Sequence, residues 1–258
     1  MFVVAIQELA TPVEDEAKAL AADLGSTVYE TKLALAVPPP TVVLTTADRA
    51  RAAAVLGAIR ARGHGAVACD VAAVASSATM TRMRHFAIEE DAIVLDAGAR
   101  LPFADVSVIC AAQHRVQIDT STEHTEKKFD VTRAVISGGL VMRKAVTTTS
   151  HATSSDSQRV LYVFRASGEP PWMLREREAN YAALARVAPT ARENFDAMTA
   201  LLRARAPHAA YDARLLQPRR VPETLRVAGD ARNKTTTSSM ASGIDLLAHL
   251  VAMWLSKR

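Results

Sequence analysis

Arg84-His-Phe-Ala-Ile-Glu-Glu-Asp-Ala-Ile-Val-Leu95, followed by Arg100-Leu-Pro-Phe-Ala-Asp-Val-Ser-Val-Ile109, is the stretch on which the fold turns. Phe86, Ile88, Ile93 and Leu95 alternate around the polar Glu89-Glu-Asp91, which predicts a hairpin. Leu101 then opens a strand that the pattern carries towards Ile118. Strand follows strand with no helical spacing between them, so an antiparallel β domain is expected rather than β-α-β units.

Downstream the same grammar continues. Lys127-Lys-Phe-Asp130 begins a strand, and Ser137-Gly-Gly139 between the apolar arms Arg133-Ala-Val-Ile and Leu140-Val-Met-Arg-Lys reads as a hairpin turn. Val160-Leu-Tyr-Val-Phe-Arg165 is a strong strand, the Ser167-Gly-Glu-Pro-Pro171 turn follows, and Trp172 reads as a core residue entering a strand in preference to a binding aromatic on the turn. Thr190-Ala-Arg-Glu193 is a capping box that opens a helix striped by Phe195, Met198, Leu201 and Leu202 before Pro207. Several antiparallel strands closed by one helix, with Phe86-Ala-Ile and Leu101-Pro-Phe-Ala-Asp-Val106, resemble a bacterial pleckstrin-homology-like domain over residues 82–210. The resemblance implies a module that binds partners or lipid headgroups and does not catalyse.

Upstream, Phe2 to Ile6 suits a buried strand, and a helix from Thr11-Pro12 carries Val13, Ala17, Leu20 and Leu24 before a glycine cap at Gly25. Thr27-Val-Tyr-Glu30 is a second capping box, predicting a helix through Leu33 and Leu35 that Pro38 to Pro40 stop. Thr41-Val-Val-Leu-Thr-Thr46, the Ala-rich stretch Ala47 to Arg62 and Gly65-Ala-Val-Ala-Cys69 complete a β-α-α-β-α-β order over residues 1–71. That order, with Thr27-Val-Tyr-Glu-Thr-Lys-Leu-Ala-Leu35 and Asp48-Arg-Ala-Arg-Ala-Ala-Ala-Val-Leu56, resembles the C-terminal domain of the bacterial ribosomal stalk protein. In that family the domain recruits translation factors through a lysine-bearing helical face. The second helix here holds only Lys32, so the resemblance implies a small α/β fold and not the translational role.

Ala72 to Thr81 is small, polar and weakly patterned, as a linker between the two domains would be. Residues 217–240, with Pro218, Pro222 and Asn233-Lys-Thr-Thr-Thr-Ser-Ser239, read as a second, mobile linker. Residues 241–258 form an amphipathic helix in which Ile244, Leu247, Val251, Trp254 and Leu255 share one side and Asp245, His249 and Ala252 the other. Docking on this chain, pairing with a second subunit in a homo-oligomer, or lying on a membrane would each bury the apolar side. The expected class is therefore α+β.

The chemistry is sparse. Lys and Arg number 31 against 27 Asp and Glu, near enough to balance that no nucleic-acid partner is expected. The N-terminus carries neither a charged leader nor a long apolar span, which leads to an expected cytoplasmic location. Cys69 and Cys110 are too far apart for a zinc or redox motif and read as small buried apolar residues. No phosphate loop, dinucleotide fingerprint, zinc-protease motif or nucleophile elbow is present, so no cofactor, metal or catalytic residue is assigned. His114 and His124, with Glu123, His151 and Asp156, make the one imaginable metal or acid-base cluster, against the plainer reading of polar strand residues facing water. The hydroxyl-rich Thr147-Thr-Thr-Ser-His-Ala-Thr-Ser-Ser155 suits an exposed strand or loop better than a phosphorylation target.

Two functions fit this inventory. The first is a non-enzymatic adaptor or scaffold whose two small domains bind protein partners. The second is a peripheral membrane protein that holds phosphorylated headgroups with Lys127, Lys128, Arg133, Arg143 and Lys144 around the Gly-Gly hairpin and anchors through the C-terminal helix.

Overall fold

The computed structural model describes residues 1–129, 143–217, 224–229 and 233–258. The chain divides into two compact units. The first holds Met1–His114, Gln158–Pro222 and Ala241–Arg258, and the second holds Arg115–Ser157 and Glu223–Met240. Both stretches expected as separate domains, 1–71 and 82–210, thus contribute to the first unit. The fold is mixed α+β with antiparallel sheets and a C-terminal helix.

In the first unit, strand β1 (Phe2–Glu8) lies between β2 (Thr41–Thr46) and β3 (Gly65–Asp70), antiparallel to both. Helices α1 (Val13–Leu24), α2 (Val28–Leu35) and α3 (Arg49–Ala61) complete the β-α-α-β-α-β order. Alternate residues of β1 point to opposite faces, so Val4 and Ile6 share one and meet Ala17, Leu20, Leu35, Val55 and Ile59 in a core. Local chemistry sets the helix ends. Gly25 adopts φ 69°, the left-handed conformation only glycine takes freely, and its N–H closes α1 on the Ala21 carbonyl. The Asp48 side chain accepts from the N–H groups of Ala50 and Arg51 to start α3.

Beyond Asp70 the first unit continues with short strands β4 (Thr81–Arg82), β5 (Phe86–Ile88), β6 (Ala92–Leu95) and β7 (Arg100–Pro102), and the last three form an antiparallel sheet. The predicted strand from Leu101 is broken by a 3-10 turn, Phe103–Asp105, whose Phe103 enters the core. Strands β8 (Val106–Phe129) and β9 (Arg143–Arg165) pair, and β9 pairs antiparallel with β10 (Trp172–Arg175). Helix α4 (Ala191–Arg205) starts on the predicted Thr190–Glu193 capping box and buries Phe195, Met198 and Leu202 against Leu161, Trp172 and Leu174. Full burial of each of those three helix side chains contributes roughly 1.5–3 kcal/mol. Two pairings are parallel, β10 with β4 and β11 (Ala210–Leu215) with β8, where an all-antiparallel domain was expected. Neither parallel partner follows its neighbour through a tight turn, so hairpin signals in the sequence carried no trace of them.

In the second unit, β12 (Thr224–Gly229) and β13 (Asn233–Ser239) form an antiparallel pair, and β13 runs antiparallel to β8 with Thr235 opposite Thr120. The stretch expected as a linker therefore carries two strands. Its run of Thr and Ser is polar enough to suggest a linker, but threonine is β-branched and suits a pleated strand. The chain then returns to the first unit as α5 (Ala241–Leu255). Among the described residues no helix is long and apolar enough to cross a membrane.

Candidate functional site

Helix α2 is short and apolar on two opposite sides. Residues two apart on a helix are separated by about 200° around the axis, so Leu33 and Leu35 cannot share a face. Leu35 and Thr31, four apart, form the buried side. The Thr31 hydroxyl donates to the Thr27 carbonyl at 3.0 Å and shares a hydrogen bond with Ser26 at 2.9 Å. Tyr29 and Leu33, also four apart, form the outer side, and they are 72% and 56% exposed with Val28 at 46% beside them.

The rim of this apolar stripe is charged and fixed. Lys32 pairs with Glu14 of α1 at 3.2 Å, and the Glu14 carboxyl is held below its usual range by a hydrogen bond at its own backbone and then by Lys32. Glu30 accepts from both the N–H and the hydroxyl of Thr27, in that order of effect, and these bonds lower its pKa as well. The capping box thus anchors the first turn and fixes the direction in which Tyr29 points away from the core.

The tail helix behaves differently from an amphipathic helix lying on a surface. Ile244, Leu247 and Val251 are buried and Trp254 and Leu255 are half-buried, all within the first unit, where α5 packs on β3, β11 and β1. Trp254 lies against Gly65 so closely that a Cβ there would sit 2.6 Å from the indole ring. The side expected to be polar is buried too, including Asp245 and Ala252. A helix covered on most sides can carry a charge inward only where that charge is bonded, and Asp245 is. Its carboxylate accepts from the Tyr162 hydroxyl at 2.6 Å and from the Ser77 N–H at 2.7 Å. The Ser77 contact also shows that the expected linker 72–81 is pinned to the unit at its middle.

This buried network extends in two directions. Because Tyr162 donates to Asp245, the 2.6 Å contact between its oxygen and His114 Nε2 requires His114 to donate, which assigns the neutral Nε2–H tautomer. Burial drives the His114 pKa from 6.5 down to about 4, against an upward pull from Asp245. Burial, then the Asp245 charge, pushes the Tyr162 pKa upward. On α5 itself, His249 Nδ1 faces the Asp245 carbonyl at 2.8 Å and Nε2 accepts from the Ala75 N–H at 3.3 Å, and burial lowers this pKa as well. His114, Tyr162 and Asp245 are enclosed, so the network has the character of a polar core that ties β8, β9 and α5 together.

The other sequence-derived candidates lie on β8 and β9 or beyond the described residues. Arg133 lies outside the described residues. Lys127 and Lys128 fall on β8, Arg143 and Lys144 on β9. His124 and Glu123 lie on β8 and His151 and Asp156 on β9, while His114 is committed to Tyr162. Among the described residues no group of three or more His, Cys, Asp and Glu side chains is positioned to hold a metal. Cys69 and Cys110 are buried, and burial raises the Cys69 pKa. Trp172 is a core residue. The signal for the outer face of α2 is the two-residue spacing of Leu33 and Leu35, which places one of them outward. No protein-family model, curated protein or solved structure matches this chain.

Proposed function

We propose that this protein is a non-enzymatic adaptor that binds a protein partner through the outer face of α2. The observation that carries the reading is the exposure of Tyr29 and Leu33, one turn apart, on a helix whose opposite face is locked into the core. Tyrosine is enriched among the residues that dominate interface energies, and an i, i+4 pair of apolar anchors is what a helix inserts into a partner's groove. An isolated apolar surface residue needs no explanation, whereas Val28, Tyr29 and Leu33 are contiguous. Lys32 and Glu14 at the rim supply the polar border such interfaces carry.

Residues 82–210 are proposed to act as a pleckstrin-homology-like support, a reading favoured by α4 packing across the core strands. The membrane alternative loses its anchor, because Ile244, Leu247 and Val251 are already buried in the first unit. A photo-crosslinking amino acid in place of Tyr29, expressed in the native host, tests the adaptor reading. The proposal expects a discrete crosslinked protein that is absent when the same group replaces exposed Val187. Crosslinking no stronger at 29 than at 187 would count against it.

A further inference from the structure

On the first unit, between the 3-10 turn Phe103–Asp105, the start of β8 and the end of α5, lies an open cleft of about 540 Å³. This volume is in the range that holds small ligands. Arg165, His208 and Arg258 line it, and no Asp or Glu is among its lining residues; Val106 and Leu255 supply apolar wall.

Both guanidinium groups are paired with carboxylates. Arg165 Nε donates to Asp105 Oδ2 at 2.7 Å and its Nη1 pairs with Glu169. Asp105 is in turn fixed by the Ser167 N–H at 2.9 Å and hydroxyl at 3.1 Å. Burial works to raise the Asp105 pKa, but the bonds from Arg165 and Ser167 outweigh it and keep the carboxyl ionised. Arg258 pairs with Glu8 through Nη2 while its guanidinium lies over the Trp254 ring at 4.6 Å. In both arginines these bonds use only part of the donor fork. Guanidinium groups paired with carboxylates, with donors to spare, are pre-organised to take an oxyanion.

We propose that this cleft binds a small organic oxyanion, an apolar body bearing one phosphate or carboxylate, with the anion held by Arg165, His208 and Arg258 and the apolar body against Val106 and Leu255. The site is separate from the outer face of α2, so it stands or falls independently of the adaptor reading.

Isothermal titration of the full chain with phenyl phosphate, benzoate and neutral benzyl alcohol tests it. The expected result is saturable binding of at least one anion and none of the alcohol, the phosphate and carboxylate arms showing which group is preferred. The Arg258→Gln/His208→Gln variant alters two exposed side chains. It should keep its circular dichroism and lose about tenfold or more in affinity, the worth of a charge-assisted bond. Absence of saturable binding by either anion, equal binding of the alcohol, or unchanged affinity in the folded double variant would overturn the proposal.

Discussion

The Tyr162 hydroxyl donates to the Asp245 carboxylate at 2.6 Å across 83 positions of sequence, joining β9 to α5 inside the first unit. Both residues are buried, and the same hydroxyl oxygen accepts from His114. Removing one partner leaves the others desolvated without a bond. Tyr162→Phe should therefore destabilise the protein by about 1–3 kcal/mol, read as a lower urea midpoint at unchanged slope. A loss below about 0.5 kcal/mol would mean that the network does not hold α5 in place.

Two histidines of this network, His114 and His249, make the fold acid-sensitive. His114 takes up its proton near pH 4 in the folded chain and near 6.5 when unfolded, so the unfolded state binds more protons between those values. Stability from this group is fully present above pH 6.5 and declines as pH falls towards 4. The shift is worth roughly 3 kcal/mol in total. His249, lowered in the same direction, adds to the decline, because its protonated Nε2 would face the Ala75 N–H donor. Urea unfolding at pH 7.5, 6 and 5 measures the slope, and His114→Gln should flatten it.

Gly65 sets how closely β3 approaches α5. A methyl group there meets Trp254 Cζ2 at 2.6 Å and Cη2 at 2.7 Å, well inside van der Waals contact. Gly65→Ala should displace the indole and cost about 1–3 kcal/mol by overpacking. Trp254 fluorescence should shift to the red as the ring becomes more exposed. An unshifted spectrum with unchanged stability would show that the contact yields freely.

On the proposed reading, the outer face of α2 serves recognition rather than stability. Tyr29→Glu/Leu33→Glu alters two exposed side chains, and the thermal midpoint should stay close to that of the native chain, since surface substitutions away from caps and cores fall within about 0.5 kcal/mol each. A large fall in the midpoint would instead assign Tyr29 and Leu33 to packing.

Local signals in the sequence carried the helices well. Thr27–Glu30 and Thr190–Glu193 are capping boxes in fact, and Gly25 closes α1 in the left-handed conformation, because each rests on bonds between residues a few positions apart. What could not be read locally depends on distant partners. Asp245 looked like a solvent-facing residue because Tyr162 and Ser77, its donors, lie 83 and 168 positions away. Thr235 looked like part of a linker because its cross-strand partner Thr120 is remote. The cleft holding Arg165 and Arg258 gathers side chains from opposite parts of the chain, and neither arginine sits in a motif. Only the outward face of α2 was there to be read, in the two-residue spacing of Leu33 and Leu35.

The central claim, a partner bound through Tyr29 and Leu33, is tested most directly by affinity capture from the native host. The native chain, Tyr29→Glu/Leu33→Glu and the exposed control Val187→Glu serve as baits, with quantitative mass spectrometry as the readout and purified binders then titrated one by one. The account predicts a protein retained by the native chain and the Val187 variant and lost from the double variant, with direct affinity weakened at least about tenfold, as expected when an anchor worth 1.4 kcal/mol or more is removed. Equal retention and equal affinity for native and double-variant chains would contradict it.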